Sequence, residues 1–136
     1  MKKIIKTILL FSLLASACFA DLILIAHKDF PIDFISRDNL KRIYDNKMKI
    51  WPHGGSVVRV LLKRGRIHKN FCKIIKRSPS NLKRFWKKQI FTGKGLAPKS
   101  FISQENIVEF VSSNRNAIAY VDSSADIKSV KLIKLK

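Results

Sequence analysis

A chain that carries the run "LILIA" at residues 22–26 has to hide it from both sides. Five consecutive apolar residues are too few for a buried helix, and a strand without alternation has no face to offer water. The segment from Asp21 to His27 therefore reads as a strand covered on two faces. "VVRVLLK" at 57–63 and "AIAYVD" at 117–122 repeat the demand, and the closing "VKLIKL" alternates like an edge strand with its lysines toward water. Between these runs the apolar spacing changes to three and four residues, the period of a helix. Short apolar strands interleaved with amphipathic helices define an α/β layer, a sheet with helices on both faces.

Each helix has a legible beginning. Ser36 precedes a segment with Asp38 near its positive end and Leu40, Ile43 and Tyr44 at helical spacing, ending near Asn46. Ser78 followed by Pro79 starts another, with Leu82, Phe85, Trp86 and Ile90 as its buried side and Lys83, Arg84, Lys87 and Lys88 as a solvated cationic side. Ser103 caps a third, which turns Ile107, Phe110 and Val111 inward. "FPIDFIS" and "FTGKGLAPKSFIS" read as connections, and "IWPHGGS" as a turn cluster. The "GKG" of the second connection lacks the spacing and the hydroxyl residue of a nucleotide-binding loop.

The remaining helix begins near Arg66, with Ile67, Phe71, Ile74 and Ile75 in one stripe, and a basic junction, "KRGRIHK", leads into it. In covered sheets ligands lie beyond the carboxyl ends of strands, where a loop enters a helix. First-turn amides there have no helical partner, and the helix dipole favours negative charge. Arg64, Gly65, Arg66, Ile67, His68 and Lys69 are accordingly the candidate ligand-binding residues.

The first twenty residues, "MKKIIKTILLFSLLASACFA", have the basic start, short apolar core and small residues of a secretory signal, with cleavage expected after Ala20. A lipoprotein cut before Cys18 fits less well, because Ala15 stands where a larger aliphatic residue is usual. The expected domains are thus a signal peptide over 1–20 and one domain over 21–136, placed in the periplasm of a bacterium. Cys72 is then the single cysteine, expected as a buried, inert thiol. Of the 28 lysines and arginines, three lie in the signal, which leaves 25 against 9 acids, or +16. Such a field selects anionic partners without choosing among them, and export argues against nucleic acid. His27, His53 and His68 lack metal-ligand spacing and are expected at surfaces or turns. Asp122 and Asp126, beside Ser123 and Ser124, have no histidine nearby in sequence, so neither catalysis nor a cofactor is expected.

The stretch from Leu40 to Val121 resembles a small substrate-binding-protein-like family related to the phosphate ABC-transporter substrate-binding proteins. The residues that carry the resemblance are "LKRIYDNKMKIWPHGGSVVRVLL", "FCKIIKRSPSNLKRFWKKQIFTGKGLAPKS" and "NIVEFVSSNRNAIAYVD", in that order and spacing. It implies a single three-layer lobe of a type II periplasmic binding protein, a mixed sheet with helices on both faces. It also implies a phosphate-like oxyanion site at the exit of the second strand. The larger family reads Gly-Ser-Gly-Thr-Arg there. In register with Phe71, the hydroxyl positions fall on Gly65 and Ile67 and the arginine position on His68. Both hydroxyl donors are missing, and Arg64, Arg66 and Lys69 are the side chains left to replace them. The closing motif carries Asn116 and Ala119 at its usual glycines.

Tight binding proteins close two lobes over an ion, whereas one lobe leaves it half solvated and weakens every contact by screening. The expected function is an exported phosphate-binding-protein-like module with weak oxyanion recognition at the strand-to-helix loop. The alternative is a non-catalytic scaffold or adaptor of a cell-envelope assembly. The partners implied are phosphate or another anion, or an envelope protein, beside a membrane-associated transporter or assembly. A polyanion or membrane-surface binder, which needs only net charge, ranks behind both.

Overall fold

The computed structural model describes residues 22–136, so the expected signal segment lies outside the described residues. The elements run β1 (Leu22–His27), β2 (Phe34–Ile35), α1 (Arg37–Tyr44), β3 (Val58–Leu62), α2 (Arg66–Ile74), α3 (Pro79–Phe91), β4 (Lys99–Phe101), α4 (Gln104–Ser112), β5 (Ala117–Asp122) and β6 (Val130–Leu135). One six-stranded sheet forms in the order β2-β6-β1-β5-β3-β4. β1 is antiparallel to both neighbours, β5 and β6, and the other pairings are parallel. The sheet is mixed, as expected.

Cover on both faces follows from burial. Ala117 to Val121 are all buried, and successive strand residues point to opposite sides, so each side of β5 must meet other elements. On the side of Tyr120, the Phe71 ring of α2 stacks at 3.8 Å between centroids, and Tyr44 of α1 meets Phe71 edge-on at 4.7 Å. The helix α4 packs against β5 and β1, with Ile107 and Val111 buried. Trp51, Trp86 and Tyr120 are core residues.

Polar groups lock α1 to the sheet. The Tyr44 hydroxyl reaches both the Val60 and Ile118 carbonyls, at 2.9 and 3.2 Å, where it can donate to one at a time. At the end of α1, the buried Arg59 guanidinium donates to Asn46 Oδ1, the Met48 carbonyl and the Ile43 carbonyl, and lies 4.9 Å over the Trp86 ring. These acceptors are neutral, and burial lowers the Arg59 pKa. Hydrogen bonding satisfies the buried cation without a carboxylate.

Four expectations change. The connection 30–36 contains β2, and the loop 91–103 contains β4, which pairs with β3 through Val60, Leu61 and Leu62. Strands of two and three residues are too short to show a period in sequence. β6 is not an edge strand, because β2 lies beyond it. Its Lys131 turns to the Phe30 carbonyl at 2.8 Å and Asp33 at 2.6 Å, while Leu132 is exposed. Ile90, expected on the buried side of α3, is 46% exposed.

Candidate functional site

The parallel pairing of β3 with β4 and β5 brings three strand ends to one rim. Leu62 is level with Phe101, and β5 runs the same way to Asp122. β1 begins there too, since Leu22 pairs with Asp122. The loop 63–65, the start of α4 and the residues after β5 therefore share one edge of the molecule.

At this rim α2 starts on Gly65, whose φ of 104° and ψ of 175° fall in a region that only glycine enters freely. Gly65 gives the helix no side-chain cap. The first intrahelical bond returns from the Lys69 N–H to the Gly65 carbonyl at 3.0 Å, which leaves the Arg66, Ile67 and His68 amides without helical acceptors. Lys63, Arg64, Arg66 and Lys69 are exposed around this start. Arg66 leans toward the end of β5, where its Nη2 is 4.0 Å from Asp122 Oδ2.

The six candidate residues divide into two groups. Arg64, Gly65, Arg66 and Lys69 stand in solvent, whereas the side chains of Ile67 and His68 are turned into the protein, at 8% and 7% exposure. His68 is therefore not the surface or turn histidine that its sequence context suggested, and its ring does not join the basic cluster. Its Nδ1 lies 2.6 Å from the Tyr120 hydroxyl, and its Nε2 lies 3.7 Å from Cys72 Sγ. The Tyr120 oxygen already accepts from the Leu62 N–H at 3.0 Å. The hydroxyl proton and the ring proton both find acceptors when the hydroxyl donates to Nδ1 and neutral His68 keeps its proton on Nε2, facing the sulfur. Burial agrees with that state, since it lowers the His68 pKa. Burial also raises the Cys72 thiol to about 11, which makes it as inert as expected. What the 63–69 junction presents to solvent is thus three first-turn amides and the exposed cations Arg64, Arg66 and Lys69.

Two features escape sequence reasoning. Asp122 adds a negative charge beside Arg66, a consequence of the β3–β5 register that no local motif encodes. Lys63 also lines a cleft of about 570 Å³ between β3 and α3, which Lys83, Lys87, Trp86, Ile90 and His68 share. Among the described residues no cluster of His, Cys, Asp or Glu suits a metal ion, and no helix is long and apolar enough to cross a membrane.

The fold is similar to that of part of several solved substrate-binding proteins. Solved structures define that likeness. A phosphate ABC transporter substrate-binding protein from Clostridium perfringens, solved with phosphate bound, superposes with a TM-score of 0.69 at 24% identity, covering 85% of this chain and 45% of the other. An ABC-type phosphate transport receptor from Vibrio cholerae gives 0.67 at 16% identity, over 85% and 47%. PstS from Borrelia burgdorferi gives 0.62 at 12%, over 86% and 47%. The chain spans about half the length of the structures it matches. No protein-family model matches the sequence, and no curated protein is similar enough to be matched.

Proposed function

We propose that this chain is an exported, periplasmic, non-catalytic module of the phosphate-binding-protein type that recognises phosphate or a related oxyanion weakly at Arg64 to Lys69. The observation that carries the reading is the uncapped start of α2 at the common strand rim, in a fold shared with proteins of phosphate transport. Free first-turn amides point at the ligand position, and the helix dipole adds to their attraction for an anion. Arg64, Arg66 and Lys69 supply charge-assisted hydrogen bonds in place of hydroxyl donors. Ile67 and His68 contribute backbone amides only, because their side chains are buried. Affinity is low because flexible exposed cations lose entropy on ordering and act across water, and because Asp122 competes for Arg66.

Titration calorimetry with phosphate and with sulfate tests the reading. Binding at millimolar ligand, weakened more by Arg66→Glu than by Lys88→Glu on α3, supports it. Equal losses at both positions point to diffuse charge attraction, and heats indistinguishable from dilution retire the solute-binding role. A scaffold or adaptor role in an envelope assembly is the second reading, favoured by the absence of hydroxyl side chains from the 63–69 junction itself. Recovery of the chain with a defined membrane partner, undiminished by Arg66→Glu, selects it.

A further inference from the structure

The basic character of this chain is concentrated in one part of it. From Asn46 to Gln104 there are sixteen lysines and arginines and no acidic residue, so α2, α3 and β4 carry no acid of their own. The acids Glu105, Glu109 and Asp126 gather elsewhere, along α4 and the turn before β6.

Within this stretch the end of α3 and the loop after it expose apolar side chains. Phe91 is 92% exposed, Leu96 88% and Ile90 46%. Lys87 and Lys88 lie four and three residues before Phe91, one helical turn back on the same surface, and Lys94 and Lys99 follow in the loop and β4. Lys83, Lys87 and Ile90 also share the cleft that Ala97 and Pro98 close from the loop side.

The exposure is built in. Asn46 Nδ2 donates to Gln89 Oε1 and to the Lys94 carbonyl, each at 3.0 Å, and Lys49 Nζ donates to the same carbonyl at 3.0 Å. Gly95 lies so close that a Cβ there would meet Asn46 Nδ2 at 2.8 Å. The turn itself is closed by the Gly93 and Lys94 amides, which donate back to Ile90 and Gln89. Phe91 and Leu96 are thus held outward on a clamped loop.

We propose that this face seats on an anionic lipid surface, with Phe91 and Leu96 entering the acyl-chain boundary while Lys87, Lys88, Lys94 and Lys99 engage headgroup phosphates. Charge complementarity and apolar tips together select this occupant. A second copy would bring the same lysine-bearing surface against itself and be repelled. A nucleic acid would satisfy the lysines but offers no apolar layer for Leu96 and Ile90. A bilayer with anionic headgroups supplies both, as amphipathic surfaces rimmed by lysine require.

The test places a reporter in the loop. Trp51 and Trp86 are 3% and 4% exposed, so in the full chain Phe91→Trp adds a single solvent-facing indole. With phosphatidylglycerol-containing vesicles its emission shifts to the blue and is quenched by acyl-brominated lipid, while phosphatidylcholine vesicles leave it unchanged. In the otherwise native chain, Phe91→Ser with Leu96→Ser keeps the charge and lowers partition into the anionic vesicles roughly a hundredfold, the loss expected from withdrawing two apolar side chains from lipid. Emission from the introduced indole that stays unshifted overturns the proposal, whether the chain then adsorbs by charge alone, dimerises or prefers single-stranded DNA. Equal partition of the double-serine variant and the native chain overturns the insertion of Phe91 and Leu96.

Discussion

Among the described residues, three of the four helices begin in one way and the fourth in another. The side chains of Ser36, Ser78 and Ser103 accept the amides of Asn39, Asn81 and Asn106 at 3.1, 3.1 and 3.2 Å, a serine cap satisfied three residues on. The start of α2 has Gly65 and no cap. The capped starts are fixed locally, by one hydroxyl each. The α2 start is fixed from beneath, by Phe71 stacked on Tyr120 and by His68 bonded to the Tyr120 hydroxyl. Anchoring a helix through its buried face leaves its first amides without a side-chain acceptor, and that is the difference between the α2 start and the other three.

Phe71→Ala should give the largest effect. It removes the ring that seats α2 on β5 and is expected to destabilise the fold by about 3–5 kcal/mol in denaturant unfolding. A loss no larger than that of a serine cap would break the distinction between the two kinds of start. Gly65→Ser comes next. It places the capping residue of the other helices at α2, yet the backbone there costs a non-glycine residue about 1–3 kcal/mol. The variant should be less stable than the native chain. A gain in stability would show that α2 lacks only a cap.

The capped starts should respond independently of the rim. Ser36→Ala, Ser78→Ala and Ser103→Ala are each expected to cost about 1 kcal/mol and leave phosphate heats unchanged. Acidification then tests α2 from beneath. Burial lowers the folded-state pKa of His68, so the neutral form is favoured in the folded protein. Its contribution is intact above the unfolded value near 6.5 and is lost as pH falls from there through the lowered folded value. Unfolding free energies measured from pH 7.5 to 5 should fall less steeply in His68→Gln than in the native chain; parallel curves would remove His68 from the α2 anchor. Asp122→Asn should have the smallest effect. It removes the acid 4.0 Å from Arg66 and should raise phosphate affinity roughly threefold, the scale of an exposed ion pair. Unchanged heats would show that Asp122 does not compete at the rim.

Local chemistry was legible before any coordinates. The serine caps, Pro79 at the first turn of α3, the start of α2 at Arg66 and the apolar strands 22–27, 58–62, 117–122 and 130–135 all follow from neighbours within a few residues. The candidate residues Arg64 to Lys69 could be placed at a strand-to-helix junction for the same reason. Their division into exposed cations and buried Ile67 and His68 could not be read in full. Ile67 belongs to a visible apolar stripe, whereas His68 is buried because the Tyr120 hydroxyl, 52 residues away, gives its ring a polar partner.

The sequence by itself determined which segments are strands and which are helices, and that one junction would be basic and hydroxyl-poor, because those properties depend on periodicity and on residue type. Only the tertiary structure decided that β2 and β4 exist, that Asp122 stands beside Arg66, and that Phe91 and Leu96 face water on a clamped loop. Each of these depends on strand register or on hydrogen bonds between distant residues such as Asn46 and Lys94, and long-range pairing leaves no periodic trace in the residues that take part.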